Sequence, residues 1–237
     1  MKIIHFESID STNTYIKENY PSLNDFDIVS ASHQTDGKGR FGNVWIDDHQ
    51  SALFSVLIKR DLDINTLSQI PLIAATACHK VLVKYLSNLS IKWPNDLYVD
   101  DKKIAGILTE SVILNKKIDA LIIGIGINVS NLDFHESIKD YSTSILKSSN
   151  KEISIPLLIQ EISKVLYQEF ILFEQNKSDF LNYCRDHAYL IGKHITYIFQ
   201  DKEISGLVID INQIGNLLVK TEKGIQELSS GEVKLKK

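Results

Sequence analysis

The segment from residue 90 to residue 130 constrains the fold most strongly, because strand-forming runs alternate in it with short turn sequences. The runs SIKW, LYV, IAGILTESVIL and IDALIIGIGINVS are rich in isoleucine, leucine and valine, and Pro-Asn-Asp, Asp-Asp and Asn-Lys-Lys separate them. β-Branched residues favour strands, and connections this short join antiparallel neighbours. The segment therefore predicts a meander of antiparallel strands.

Helical and extended patterns flank this meander and predict an α+β fold. Strand-like runs precede it at KIIHF, FDIVSASHQ and SALFSVLIKR, and Ser11 or Thr12 is placed to cap a short helix after the first run. Apolar residues recur at helical spacing over residues 66–86 and again from about 155 to 187.

The last fifty residues return to short strands, which predicts a small β-barrel or sandwich-like domain. The predicted boundaries are 1–187 for the larger domain and 188–237 for the smaller one. Glycines are expected to separate the strands of the smaller domain, at Gly192, Gly206, Gly215, Gly224 and Gly231.

Composition excludes several classes of protein. A net charge of −4 argues against binding nucleic acid over the whole surface, since phosphate neutralisation needs clustered Lys and Arg. Two cysteines are too few for a disulfide framework. The N-terminus lacks a signal-peptide core, and the longest apolar run, residues 120–129, is about half of a membrane span. A cytoplasmic protein that does not enter membranes is predicted.

The stretch QTDGKGRFGN at residues 34–43 predicts an anion-binding loop. Glycines let backbone N–H groups approach an oxyanion, and Lys38 and Arg40 would add charge-assisted hydrogen bonds. The chain has only three arginines, so an arginine here favours an oxyanion ligand over generic surface charge. The spacing fits neither a P-loop nor a dinucleotide fingerprint, and a solvated surface loop is the alternative.

Two further patterns carry candidate chemistry. In KWPNDLY, Asp96 would hold Mg²⁺ on nucleotide phosphates, and an Asx turn is the structural alternative. In KKIAGI, Lys103 enters an apolar strand, where a partly desolvated ammonium would stabilise a substrate oxyanion. Gly106, Gly124 and Gly126 interrupt strand patterns, either for a bulge or tight packing, or because a flat ligand lies against the backbone.

Together these motifs resemble the biotin protein ligase family. The matching segments are, in order, Ser11-Thr12-Asn13, Gln34 with Gly37-Lys38-Gly39-Arg40 and Trp45, Lys92-Trp93-Pro94-Asn95-Asp96, Lys103-Ile104-Ala105-Gly106 and Gly124-Ile125-Gly126-Ile127-Asn128. STSI at residues 142–145 is similar to a further family segment. SGLVIDINQIGNLLV and SSGEVKL resemble the family's small C-terminal domain, so the resemblance covers nearly the whole chain.

The resemblance implies a class II synthetase-like catalytic domain with a mixed, largely antiparallel sheet, followed by an SH3-like β-barrel. It implies that biotin and Mg·ATP give biotinyl-5′-AMP, and that biotin then passes to a lysine of a biotin carboxyl carrier domain. No DNA binding is expected, because Ser11 lies too near the N-terminus for a preceding winged-helix domain. Strands near the meander would be able to pair in a homodimer.

Site roles also follow from the resemblance. The implied catalytic residues are Lys103, Arg40 and Asp96, and Asp96 either positions Mg²⁺ or accepts a proton from the incoming lysine. The residues implied to contact biotin are Ser11, Thr12, Asn13, Gln34, Gly37, Lys38, Lys103, Gly106, Gly124 and Gly126. Those implied to contact the adenylate are Arg40, Trp45, Asn95, Lys103 and Asn128.

The chain departs from the family pattern in its loop. The family loop usually reads Gly-Arg-Gly-Arg, whereas Lys38 stands at the first arginine and has no bidentate fork. Asn43 replaces a frequent basic residue, and Ile46-Asp47 replaces the usual Ser-Pro. Two rival functions remain open, a lipoate or octanoate ligase and a non-catalytic ligand-binding module.

Overall fold

A computed structural model describes residues 1–199, 202–229 and 233–235. Within these residues the helices are α1 (Thr12–Asn19), α2 (Ile70–Leu82), α3 (Ile145–Ser149), α4 (Ile155–Glu174) and α5 (Phe180–Asp186). The strands of the larger part are β1 (Ile3–Ile9), β2 (Ile28–Gln34), β3 (Ser51–Ile58), β4 (Leu89–Lys92), β5 (Asp96–Val99), β6 (Lys102–Leu114) and β7 (Lys117–Asn128). Those of the smaller part are β8 (His194–Phe199), β9 (Lys202–Ile211), β10 (Leu217–Thr221), β11 (Gly224–Leu228) and β12 (Val233–Leu235).

The larger sheet has seven strands in the order β1-β2-β3-β7-β6-β5-β4. Only β1 and β2 pair in parallel, because α1 forms the crossover between them; every other neighbouring pair in this described sheet is antiparallel. The predicted meander corresponds to β4 to β7. The α+β class and the mixed, largely antiparallel sheet are therefore confirmed.

Alternate residues of the strands supply two apolar layers. Ile28 belongs to the main core with α2 and α4, whereas the next residue, Val29, packs with Ile16 of α1 on the opposite face. The sheet therefore lies between α1 on one side and the α2–α4 layer on the other. α2 is shorter than the predicted 66–86, because residues 64–66 form a separate 3₁₀ turn before it. Pro71 lies in the first turn of α2, where the missing N–H of proline would have had no partner within the helix.

The smaller sheet has five antiparallel strands in the order β11-β10-β9-β8-β12. This arrangement confirms the predicted small SH3-like β part. Gly206 was wrongly expected to separate strands: it lies inside β9, where a Cβ would be 2.5 Å from Val219 Cγ1 of β10. Gly231, another expected separator, and part of SSGEVKL lie outside the described residues, and the 187/188 boundary stays a prediction.

One turn of the smaller part packs on the larger part. Trp93 is 2% exposed, and its Nε1 donates a hydrogen bond to the carbonyl of Gly215 at 2.8 Å. Ser68 Oγ donates to the neighbouring carbonyl of Ile214 at 3.1 Å. This tryptophan therefore joins the two sheets, which gives Trp93 a structural role.

No helix among the described residues is long and apolar enough to cross a membrane. The two cysteines, Cys78 and Cys184, are free and buried, and burial raises the pKa of each thiol to about 12. Both thiols are therefore held in the unreactive protonated form.

A buried histidine in α2 gives stability a predictable pH dependence. His79 is fully buried, with Nδ1 2.9 Å from the Tyr183 hydroxyl and Nε2 3.0 Å from the Leu89 carbonyl oxygen. The carbonyl can only accept, so Nε2 carries the proton and Nδ1 accepts from Tyr183. Burial, reinforced by the nearby His187, lowers the pKa of His79 from 6.5 to about 4.

Between pH 6.5 and pH 4 the unfolded chain binds a proton that the native chain does not. We therefore expect the free energy of unfolding to fall by up to ~3 kcal/mol as the pH drops through this window. Urea unfolding at pH 7 and at pH 4.5 measures this difference in the free energy of unfolding. His79→Gln should lower the stability at pH 7 and flatten this slope, whereas His194→Gln, at an exposed position, should not. An unchanged slope in His79→Gln would refute the assignment.

Candidate active site

A cavity of about 500 Å³, including its open mouth, lies where the start of α1 and the glycine-rich loop meet the larger sheet. Most of the predicted site residues line it, namely Ser11, Thr12, Asn13, Gln34, Lys38, Arg40, Trp45, Asn95, Lys103, Gly106, Gly124 and Gly126. Apolar residues that the sequence did not single out complete its wall, among them Leu53, Phe54, Ile107 and Leu108.

The inner end of the cavity is a network of hydrogen bonds. The N–H and hydroxyl of Thr12 both donate to Gln34 Oε1, at 2.8 and 3.0 Å. Ser55 Oγ donates to Asn13 Oδ1 at 2.5 Å, and Asn13 Nδ2 donates to Glu110 Oε2 at 2.9 Å. Ser55 and Glu110 were missed in the sequence, because polar residues within a strand pattern carry no signal of their own. The network fixes the orientation of both amide side chains.

Ser11 occupies the N-cap position of α1 with extended backbone, as the sequence predicted. Its hydroxyl makes no capping hydrogen bond, although Ser11 is only 2% exposed. The Thr12 hydroxyl is engaged by Gln34 and by Ser55, whose oxygen is 2.6 Å away. The predicted N-cap position of Ser11 is therefore confirmed, but its hydroxyl makes no capping hydrogen bond and Ser11 lines the cavity.

The three strand glycines allow side chains to approach the sheet closely. Gly106 and Gly126 are paired across β6 and β7, and the Trp45 ring lies over both. A Cβ on Gly126 would be 2.6 Å from Trp45 Cε2, and one on Gly124 would be 2.3 Å from Asn13 Oδ1. In this structure the flat group against the backbone is thus Trp45. Contact of these glycines with a ligand stays a prediction.

Lys103 reaches the cavity because of a β-bulge. Leu97 pairs with Ala105, but the next residue of β5, Tyr98, pairs with Lys103, so Ile104 is an extra residue on β6. A bulge reverses the side on which the following residues point. Lys103 consequently shares a face with Asp96 and Gly106, and its Nζ is 2.8 Å from Asp96 Oδ1.

The neighbouring backbone holds Lys103 in place. The N–H of Lys103 donates to the carbonyl of Tyr141 at 2.7 Å, and its carbonyl accepts from Thr143 N–H at 2.9 Å. Thr143 belongs to the STSI segment at residues 142–145, which resembles a segment of the family. A part of the chain distant in sequence therefore fixes the strand that carries the lysine.

The glycine-rich loop folds over the cavity as an irregular hairpin. Trp45 N–H donates to the Gly37 carbonyl at 2.9 Å, and a Cβ on Gly37 would be 2.6 Å from the Trp45 carbonyl oxygen. Lys38 Nζ donates to Thr14 Oγ1 at 2.9 Å, towards α1. Arg40 Nη1 donates to Asn95 Oδ1 at 3.0 Å, in the opposite direction. The two cations of the loop thus serve different sides of the cavity.

A second cavity adjoins the first and shares Gly39, Arg40, Trp45, Asn95 and Lys103 with it. Of these two cavities, Asp96 and Val233 of β12 line the second and not the first. The cations Arg40 and Lys103 therefore stand between two adjacent spaces. Such an arrangement can bring two anionic groups together and stabilise charge that develops between them.

Asn128 is the predicted site residue whose place differs most from its expected role. It lies at the end of β7, is 5% exposed and donates from Nδ2 to the Thr143 carbonyl at 3.0 Å. It does not line either described cavity. In this structure its amide supports the segment that holds Lys103, and a contact with adenylate stays a prediction.

Family models match both parts of the chain. Residues 5–128 match the biotin/lipoate A/B protein ligase family, and residues 190–236 match the biotin protein ligase C terminal domain. The biotin protein ligase from Aquifex aeolicus in complex with biotin and ATP superimposes with a TM-score of 0.88 at 30% identity, covering 100% of this chain and 99% of that one.

Curated relatives agree with these matches. The bifunctional ligase/repressor BirA of Bacillus subtilis is 29% identical over 220 residues, which are 88% of this chain and 66% of that protein. The chain thus spans about two thirds of the length of that relative. The human biotin–protein ligase is 35% identical over 134 residues, 53% of this chain and 18% of that protein.

Proposed function

The chain belongs to the biotin/lipoate A/B protein ligase family, and from that premise we propose that it is an ATP-dependent biotin protein ligase. The observation that carries the proposal is the position of Lys103 and Arg40 between two adjoining cavities. One cavity ends in an ordered polar network, which suits the head group of biotin. The carboxylate of biotin would then extend towards the two cations.

In the first step, an oxygen of the biotin carboxylate attacks the α-phosphorus of ATP. A P–O bond forms, the bond to the β-phosphate breaks, and biotinyl-5′-AMP and pyrophosphate result. Lys103 would neutralise charge on the carboxylate and α-phosphate, and Arg40 would hold the phosphate through the loop. Removing repulsion between two anions and fixing their approach are the main requirements of this step.

In the second step, the neutral amine of an acceptor lysine attacks the acyl carbon of the mixed anhydride. The C–N bond forms, the C–O bond to AMP breaks, and the proton lost by the amine passes to a base. Asp96 is one candidate for that base, since its carboxylate is next to Lys103. We propose a biotin carboxyl carrier domain as the acceptor. The expected homodimer and the expected lack of DNA binding stay predictions.

The residues around the two cavities also suit a flat adenylate. Trp45 Nε1 is buried and has no hydrogen-bond acceptor among the described residues. Buried N–H groups are normally paired, so this one suits an acceptor on a bound molecule. Asn95 presents its amide beside Arg40 at the shared wall.

Mg²⁺ would accompany ATP, and Asp96 would be the residue that positions it if it does not act as the base. The described residues contain no group of three or more His, Cys, Asp or Glu side chains that could hold a metal ion. A single carboxylate fits Mg²⁺ bound chiefly by nucleotide phosphates and water. When bound, the ion would supply further neutralisation of phosphate charge.

ATP–pyrophosphate exchange tests the proposed function. We expect exchange with Mg²⁺ and biotin, and none with lipoate, octanoate or no acid. Exchange with lipoate or octanoate alone would move the assignment to a lipoate or octanoate ligase. No exchange with any acid would favour the non-catalytic binding module.

Gly124→Ala tests the inner end of the cavity. The added methyl group would be 2.3 Å from Asn13 Oδ1, so Asn13 must move out of the polar network. We expect the KM for biotin to rise by about tenfold or more, the equivalent of one lost hydrogen bond to a fitted polar ligand. Exchange kinetics at varied biotin concentration measure it.

Gly206→Ala is the matched control for that substitution. Its methyl group would meet Val219 Cγ1 at 2.5 Å in the smaller sheet, away from the cavity. It should lower thermal stability without changing the KM for biotin. If Gly124→Ala leaves the KM for biotin unchanged, as Gly206→Ala is expected to, Asn13 does not help to bind biotin.

A further inference from the structure

We propose that Asp47 is a positioning residue that fastens the glycine-rich loop, residues 37–45, to strand β2. Its side chain has no exposed area, although it follows Ile46, which is 37% exposed, and precedes the exposed Asp48. A carboxylate is buried at a cost unless donors surround it. The burial of this one in an otherwise exposed segment therefore requires specific partners.

The Asp47 carboxylate has three such partners. Oδ2 accepts the N–H of Gln34 at 3.0 Å, and Oδ1 accepts the N–H of His49 at 3.0 Å. Oδ1 is also 3.2 Å from His33 Nδ1, and the rings of His33 and His49 stack with centroids 4.3 Å apart. Hydrogen bonds to an ionised acceptor are stronger than those to a neutral one. The Asp47 carboxylate therefore attaches the residues after the loop strongly to the end of β2.

The connection completes the stem of the loop. Gly39 N–H donates to the Asn43 carbonyl at 2.7 Å, and Trp45 N–H donates to the Gly37 carbonyl. The next link towards the base of the hairpin runs from Gln34 N–H to the side chain of Asp47. Because the loop is rich in glycine and intrinsically flexible, a charged link at its base fixes its direction.

Asp47 acts on the site through Gln34 and Trp45. Gln34 Oε1 accepts both hydrogen bonds from Thr12 in the polar network. Trp45, two residues before Asp47, covers Gly106 and Gly126. The carboxylate therefore sets the position of a side chain at each end of the cavity without lining it. This role belongs to a position at which the chain departs from the Ser-Pro of the family it resembles.

Asp47→Asn tests the proposal, which rests on the proposed function for its kinetic readout. The amide keeps the shape of the side chain but loses its charge and places an NH₂ group among donors. We expect the KM for biotin to rise about tenfold with a smaller change in kcat, as expected for the loss of one charge-assisted hydrogen bond. Steady-state exchange kinetics measure both constants.

Asp27→Asn is the matched control, because Asp27 is a buried carboxylate directly before β2, whereas Gln34 ends that strand. It is 2% exposed and accepts the N–H groups of Lys2 and Asn24, each at 2.9 Å. We expect this variant to lose thermal stability while its KM for biotin stays within twofold of the parent. An equal rise in KM in both variants would mean that any weakened β2 has this effect, and would overturn the proposal.

Tryptophan fluorescence tests the positioning without relying on biotin chemistry. The chain has two tryptophans, and Trp93 is 2% exposed, so acrylamide quenching reports mainly on Trp45. We expect stronger quenching in Asp47→Asn and unchanged quenching in Asp27→Asn. Unchanged quenching and KM in Asp47→Asn would overturn the proposal, whereas a parent without biotin-dependent exchange would overturn only the proposed function.

His33→Phe is a second variant in case Asp47→Asn does not fold. It removes one donor to Asp47 and retains a ring to stack on His49. We expect changes in KM and quenching in the same direction as for Asp47→Asn, but smaller. Parent-like values of both would count against the proposed link.

Discussion

Lys103→Ala is expected to reduce biotin-dependent ATP–pyrophosphate exchange by about 10²–10³-fold, the usual loss when one preorganised charge is removed from a reaction centre. The bulge at Ile104 places the Lys103 ammonium between the two cavities and beside Asp96. Without it, the biotin carboxylate and the α-phosphate would meet with less compensating charge. The loss should therefore appear in kcat as well as in kcat/KM.

Lys102→Ala is the control, because Lys102 is the adjacent lysine, is exposed and does not line either cavity. Its exchange rate should match that of the parent. Lys103→Ala also removes the partner of Asp96, so the thermal unfolding of Lys103→Ala and Lys102→Ala should be compared. Lys103→Gln is a further variant, which retains a hydrogen-bond donor at this position but has no charge. Exchange within a few-fold of the parent in a folded Lys103→Ala would show that the residue was misassigned.

The sequence predicted the fold where local patterns determine it. The meander of β4 to β7, the short helix α1 after the first strand and the β-rich end follow from β-branched runs, helical spacing and short turns. The resemblance to biotin protein ligases was confirmed by the family matches and by the Aquifex structure. It also named most of the residues that line the cavity.

Other features depend on contacts between distant segments, which no local pattern records. The bulge at Ile104 exists only in the register of β6 against β5, yet it decides that Lys103 faces Asp96. Gly206 resembled a turn residue, but the reason for a glycine there is Val219 on the next strand. In the sequence Asp47 was only a departure from the family's Ser-Pro, and its burial depends on Gln34, thirteen positions earlier.

The structure also changes how the loop should be understood. Lys38 was expected to contact biotin and Arg40 the adenylate, and in this structure Lys38 contacts Thr14 of α1 whereas Arg40 contacts Asn95 beside β5. The loop is thus attached at both sides of the cavity mouth. Loss of either contact should loosen a lid over the bound intermediate, and the effect should be larger for Arg40, because its planar fork holds phosphate more specifically.

Arg40→Gly is accordingly expected to release biotinyl-5′-AMP into solution about tenfold faster, which corresponds to losing one charge-assisted hydrogen bond to the adenylate. The free mixed anhydride would then biotinylate bystander lysines, while labelling of the carrier domain continues. Arg40→Lys, which keeps the charge without the fork, should give an intermediate rate. Chromatography of released adenylate and labelling of an added bystander protein measure the two effects.

Arg60→Gly is the control for loss of an arginine elsewhere. Arg60 pairs with Asp25 and Glu174 and does not line either cavity, so its removal should lower stability without releasing adenylate. If biotin labelling in Arg40→Gly stays limited to the carrier domain and the bystander protein is not labelled, the lid role is excluded. In that case Arg40 would act only in forming the adenylate, and the exchange rate alone would fall.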